Sequence, residues 1–167
     1  KAGIAALGKY QAFLDAAGLP VATLSRAALR ERIGTPYYQQ GLYSPHCYLV
    51  QPAALIRSLV AGLPATVSVR KSSRKGCGYS NNAFCKYLGV GASRITAMYT
   101  YAALTAPLSQ AQLAHCGSDQ QWGLLPAHRL GSTFRKTIDG RLLVRSQYGY
   151  ERESDNAKMA PKLHATL

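Results

Sequence analysis

At 167 residues with 47% apolar content, the chain is long enough to bury a core and too apolar for a disordered tail. No apolar run approaches the roughly 18 residues of a membrane span and no secretory signal is visible, so no membrane partner is expected. Twenty Lys and Arg against seven Asp and Glu give a net charge of +13, which admits polyanion binding; only the cluster Arg70–Lys75 is dense.

The first stretch places Ile4, Leu7, Tyr10, Phe13 and Leu14 at three- and four-residue steps, predicting an amphipathic helix that Gly18 ends. It starts at Lys1 with no capping residue before it, so a longer parent sequence is expected. "SRAALRERIG" predicts a short second helix, capped by Ser25 and closed by Gly34. "TPYYQQGLYSPHCYLV", rich in Tyr, Gly and Pro, reads as a loop or irregular strand. "QPAALIRSLVAGLP" predicts a third helix, with Pro52 in the first turn, where its missing N–H costs nothing, and Gly62 at the exit. Alternation in "ATVSV" predicts a short strand over 65–69.

Residues 70–82, "RKSSRKGCGYSNN", have no periodicity. They read as a basic loop between a helical and strand part, 1–69, and a sheet-rich part, 83–167. "AFCKYLG" predicts a helical turn. "ITAMYTYAALTAPL" has the β-branched and aromatic content of a strand, with Ile95, Ala97, Tyr99 and Tyr101 on one face. "SQAQLAHCG" predicts a short helix capped by Ser109. After "WGLLPAH", the stretch "STFRKTIDGRLLVRS", 132–146, predicts a β-hairpin turning at Asp139-Gly140, because Gly takes positive φ without steric cost. The remainder, "SQYGYERESDNAKMAPKLHATL", trails off without a predicted element, polar at first. Helices and strands that do not alternate regularly predict an α+β fold, a single domain or fragment with a mixed or antiparallel sheet.

Few sites of chemistry stand out. Cys47, Cys77, Cys85 and Cys116 form no CxxC pair and no zinc spacing, so no metal is expected and the thiols read as reduced, in a cytoplasmic protein. "GVGASR", Gly89–Arg94, lacks the third glycine and the strand–helix context of a phosphate loop. Without interleaved aromatics, Arg70–Lys75 favours a solvated loop over nucleic-acid contact. Of eleven tyrosines, Tyr43, Tyr99 and Tyr101 fall in loop and strand segments, where a ring can cover a ligand or be half-buried in a sheet. The hairpin carries Arg135, Lys136, Arg141 and Arg145 in eleven residues. Two readings of them stand: a solvated face, or an anion site.

Taken in order, "GLYSPHCYLVQPAALIRSLVAGLPATVSV", "NNAFCKYLGVGASRITAMYTYAALTAPL" and "WGLLPAHRLGSTFRKTIDGRLLVRSQYGYERE" resemble the FAD-dependent amine and D-amino-acid oxidase superfamily. Within it the chain is most similar to the γ-glutamylputrescine oxidoreductase-like branch. "NNAF" resembles a turn after a flavin-domain strand, and "TYAALTAPL" and "RKTIDGRLLV" resemble long strands of the substrate domain. The likeness covers most of the chain outside 70–80. It lacks the family's N-terminal βαβ unit with its GxGxxG turn and the C-terminal segment that closes over the flavin.

The resemblance therefore implies the substrate-domain portion of a flavoenzyme. The complete family member oxidises an amine or amino acid by moving a hydride to flavin N5, giving an imine that hydrolyses. It implies substrate contact by Tyr43, Tyr99, Tyr101 and Arg135, with Arg145 also facing the cleft, and places Asn82 and Ala83 near the flavin. Arg suits a carboxylate because its planar fork makes two parallel charge-assisted hydrogen bonds. The partners implied are a small amine or amino acid and the missing flavin-binding segments, and no stoichiometric FAD is expected on this chain alone. The alternative is a non-enzymatic basic module for nucleic acid or an acidic partner.

Overall fold

The computed structural model describes residues 2–68, 85–86, 88–89, 91, 94–128 and 130–167. The basic cluster Arg70–Lys75, Cys77, Asn82 and Ala83 lie outside them. The chain divides into two compact units, Lys1–Cys47 with Tyr99–Leu167, and Tyr48–Met98. Together they are α+β, with antiparallel strand pairing and short helices. Among the described residues no helix is long and apolar enough to cross a membrane.

The first unit begins with α1 (Ala2–Ala16), and Gly18 at φ 71° ends it. The apolar positions that predict this helix are not buried: Phe13 is 67% exposed and Tyr10 55%. β1 (Ala22–Ser25) runs directly into α2 (Arg26–Ile33), because the Ser25 side chain accepts a hydrogen bond from the Ala28 N–H. Gly34 closes α2 in the left-handed conformation, its N–H donating to the Arg30 carbonyl. β2 (Gln40–Tyr43) pairs antiparallel with β1, Ala22 opposite Tyr43.

The larger sheet has the order β3-β6-β5-β4, from β3 (Met98–Leu104), β4 (Trp122–Leu124), β5 (Thr133–Lys136) and β6 (Leu142–Tyr150). The expected hairpin is β5–β6, Thr133 opposite Arg145 and Lys136 opposite Leu142. Its loop differs from a two-residue Asp-Gly turn. The Thr137 N–H reaches the Arg141 carbonyl across three residues, and of the Asp139-Gly140 pair only Gly140 has positive φ. That arrangement belongs to a three-residue loop, in which one left-handed residue suffices. Thr137 Oγ1 reinforces it by donating to the Arg141 carbonyl and accepting from the Arg141 N–H.

α4 (Gln110–Ala114) carries a complete capping box between Ser109 and Gln112. α5 (Asn156–His164) forms where the sequence predicts no element. Asp155 caps it through the Ala157 N–H, and Met159 and Leu163, four residues apart, face inward. These two side chains meet Tyr101 and the fully buried Val144, with Tyr99, Ala103 and Phe134 around them. Burial of each large apolar side chain there contributes about 1.5–3 kcal/mol.

In the second unit α3 (Pro52–Ala61) starts on Pro52 and ends at Gly62 as the sequence predicts. Leu55, Ile56, Leu59 and Val60 are all exposed on it. The strand predicted over 65–69 does not form in its described part. Instead, the Val67 N–H bonds back to the Pro64 carbonyl, so Pro64 opens a turn and uses the donor a ladder would need.

Candidate functional site

Strand register sorts the hairpin cations onto two faces. Phe134 and Val144 are opposite one another and pack on the α5 side, so their alternate neighbours point the other way. Thr133, Arg135, Leu143 and Arg145 therefore share the face turned away from α5. Two contacts agree with this assignment. Ser132 Oγ and Ser146 Oγ meet at 2.7 Å on the core side, and Arg145 Nη2 donates to Thr133 Oγ1 at 2.9 Å on the other. All four residues on the second face are half-buried.

Lys136 falls on the core side and is 7% exposed. Its Nζ donates to the Asp119 carbonyl at 2.9 Å and to the Gly117 carbonyl at 3.5 Å, which offsets the cost of burying an ammonium. Arg141 stays at the turn, paired with Asp139 at 3.0 Å and donating to the Thr105 carbonyl at 3.2 Å. The solvated-face reading of the four cations is thus corrected: none of them is exposed. One holds a loop, one holds the turn, and Arg135 and Arg145 stand together beside Leu143. Arg135 and Arg145 are diagonal neighbours across the ladder, whose backbones are about 7–8 Å apart.

The tyrosines do not join them. Tyr101 is 7% exposed within the α5-side core, where its hydroxyl accepts a 2.6 Å hydrogen bond from the Ser154 N–H and so anchors the approach to α5. Tyr99 packs against the same core. Tyr43 lies at the end of β2, its ring under the Arg32 guanidinium at 4.2 Å. Of the residues the resemblance assigns to substrate, the structure brings together Arg135 and Arg145, with Thr133 beside them. Thr133 was missed by sequence reasoning, because a two-residue Asp139-Gly140 turn would set Phe134 opposite Arg145, and only the three-residue loop brings Thr133 there.

A second polar cluster ties α2 to the loop after α4. Arg32 Nε pairs with Asp119 Oδ2 at 2.9 Å, and the Ser118 and Asp119 N–H groups donate to the Glu31 and Arg32 carbonyls. Partial burial works against the Arg32 charge, but hydrogen bonds to Asp119 and to the Tyr43 hydroxyl outweigh it and raise its pKa. The Trp122 indole N–H donates to the Cys116 carbonyl at 3.1 Å, so the loop is held from both sides. Its groups are occupied with one another, and the cluster reads as a structural clasp.

The starts of α2, α3 and α5 do not fit the pyrophosphate of FAD. Such a cradle needs a glycine-rich turn that presents backbone N–H groups at a helix start. α2 follows β1 with no glycine, and its N-cap side chain already takes the Ala28 N–H. α3 starts on Pro52, which has no N–H to offer, and α5 starts behind the Asp155 carboxylate, which repels phosphate. Among the described residues no group of three or more His, Cys, Asp or Glu could hold a metal ion. Comparison with family models, curated proteins and solved structures gives no match.

Proposed function

We propose that the chain supplies the substrate-binding part of an FAD-dependent oxidoreductase acting on an amine or amino acid, with the flavin held by segments beyond residues 1–167. One observation carries the reading. The segments that resemble the substrate domain, "TYAALTAPL" and "RKTIDGRLLV", contribute to the neighbouring strands β3, β6 and β5 of one sheet, and its face away from α5 holds Arg135 and Arg145. The role of these residues is to bind and orient a carboxylate-bearing amine; the redox chemistry belongs to the flavin. Positioning of this kind raises rate only when the reacting carbon is held close to the cofactor. Residues 1–167 alone are therefore expected to lack amine oxidase activity even with added FAD.

Joined to a flavin-binding unit of the family, the chain is expected to gain that activity. Arg135→Ala there should raise KM for a carboxylate-bearing amine by about tenfold or more, since a lost charge-assisted hydrogen bond is worth about 1.5–3 kcal/mol. An amine without a carboxylate should keep its KM. Steady-state kinetics on both substrates decide the point, and equal effects would leave Arg135 outside the binding site.

A second reading, a basic module for an acidic polymer, draws on the net charge of +13. It needs no pocket and no cofactor, and its mark is steep loss of binding with salt.

A further inference from the structure

Independently of the oxidoreductase reading, we infer that α3 is a surface helix that lies in the headgroup layer of a membrane rich in anionic lipid. Leu55, Ile56, Leu59 and Val60 recur at three- and four-residue steps and so form one stripe along the helix. Such a stripe ordinarily faces a core, as Met159 and Leu163 of α5 do. On α3 no residue is buried, and Ile56 and Leu59 are 60% and 59% exposed. Tyr48, Leu49 and Val50, just before the helix, are exposed as well. The charge around the stripe selects what covers it. From Tyr48 to Met98 the sequence has no Asp or Glu, but carries Arg57, Lys86, Arg94 and the basic cluster Arg70–Lys75. A second copy on the stripe would set cations against cations. Nucleic acid would meet the charge and leave the stripe in water. An anionic leaflet satisfies both, taking apolar side chains among its acyl chains and attracting Lys and Arg to its surface. A helix lying in the interface needs no spanning length, so the 10 residues of α3 suffice. α1 also exposes apolar side chains, but it carries Asp15 as well as Lys9 and belongs to the other unit.

Flotation of the chain with vesicles tests this, one set of phosphatidylcholine and one of phosphatidylcholine with phosphatidylserine. The chain is expected to bind the anionic set about tenfold or more tightly, and to lose affinity as salt rises. Ile56→Ser combined with Leu59→Ser should weaken that binding about tenfold or more, because two large apolar side chains no longer leave water. Both side chains are exposed in the structure, so urea unfolding of the paired variant should match that of the unaltered chain. Leu59→Trp should keep the binding, and its emission, taken as the difference from the unaltered chain with its own Trp122, should move to the blue on anionic vesicles. Equal binding to both vesicle sets, or unchanged binding by the paired variant, would overturn the inference, the second result leaving attraction by charge alone. So would a dimer of the unaltered chain that the paired variant dissolves, since a second copy then covers the stripe. Should the paired variant unfold, the Leu59→Trp emission decides: unshifted on anionic vesicles, it overturns the inference.

Discussion

Gly34 and Gly117 are left-handed, at φ 80° and 78°, where the end of α2 meets the loop after α4. A Cβ on Gly117 would collide with the Arg32 carbonyl, and one on Gly34 with the His115 carbonyl. Gly117→Ala is therefore expected to cost about 1–3 kcal/mol from its backbone conformation, with the collision adding to that. Urea unfolding measures the loss, and a change under 0.5 kcal/mol, the range of about ±0.5 typical of surface substitutions, would show that the two backbones can separate freely. Asp139 is a different kind of residue effect. Hydrogen bonding with the Thr137 side chain is the largest reason its carboxyl lies below the ordinary range; the backbone and Arg141 add to it and slight desolvation opposes it. A lowered folded pKa means that its support of the turn is full above the unfolded value of about 3.9 and fades as pH falls through the folded one. Carboxyl NMR titration should place the midpoint below about 3.9, and Thr137→Val should raise it.

Helix ends were the most legible elements. Ser25, Gly34, Pro52, Gly62 and Ser109 each occupy the cap or first-turn position their chemistry predicts, since capping is decided within about four residues. The hairpin was legible for the same reason. α5 was not, because Pro161 inside it removes a helix donor and masks the four-residue spacing of Met159 and Leu163. Only contact with Val144 and Tyr101, distant in sequence, rewards that helix. Leu163→Ala should cost about 2–5 kcal/mol, read from thermal or urea unfolding; a loss below 1 kcal/mol would mean α5 adds little to the core. The substrate residues were less legible than the helix ends. The face shared by Arg135 and Arg145 was not legible: a two-residue Asp139-Gly140 turn would set Arg145 opposite Phe134, and the three-residue loop shifts the register by one and brings the two arginines onto one face. Which face of β3 would be covered depended on α5, and that turned Tyr99 and Tyr101 inward.

At the scale of the whole molecule, 20 cations face 7 anions, and among the described residues two ion pairs use Asp119 and Asp139. The remaining excess attracts any polyanion weakly. Replacing Arg70, Lys71, Arg74 and Lys75 with Ser should remove most binding to single-stranded DNA at low salt, and moderate salt should do the same to the unaltered chain. Filter binding reads both, and tight binding that survives them would favour the basic-module reading. The clasp between Arg32 and Asp119 carries a further consequence. It belongs to a unit assembled from Lys1–Cys47 and Tyr99–Leu167, with 51 residues of intervening chain, Tyr48–Met98, between them. During synthesis, α2 leaves the ribosome with its C-terminal end bare, and its left-handed glycine has no backbone to meet until Gly117 follows. At roughly 5–20 residues per second that wait lasts several seconds. For that interval β1, β2 and α2 are a small unfinished hairpin-and-helix exposed to proteases and chaperones, so the late arrival of one loop governs when the first quarter of the chain becomes secure.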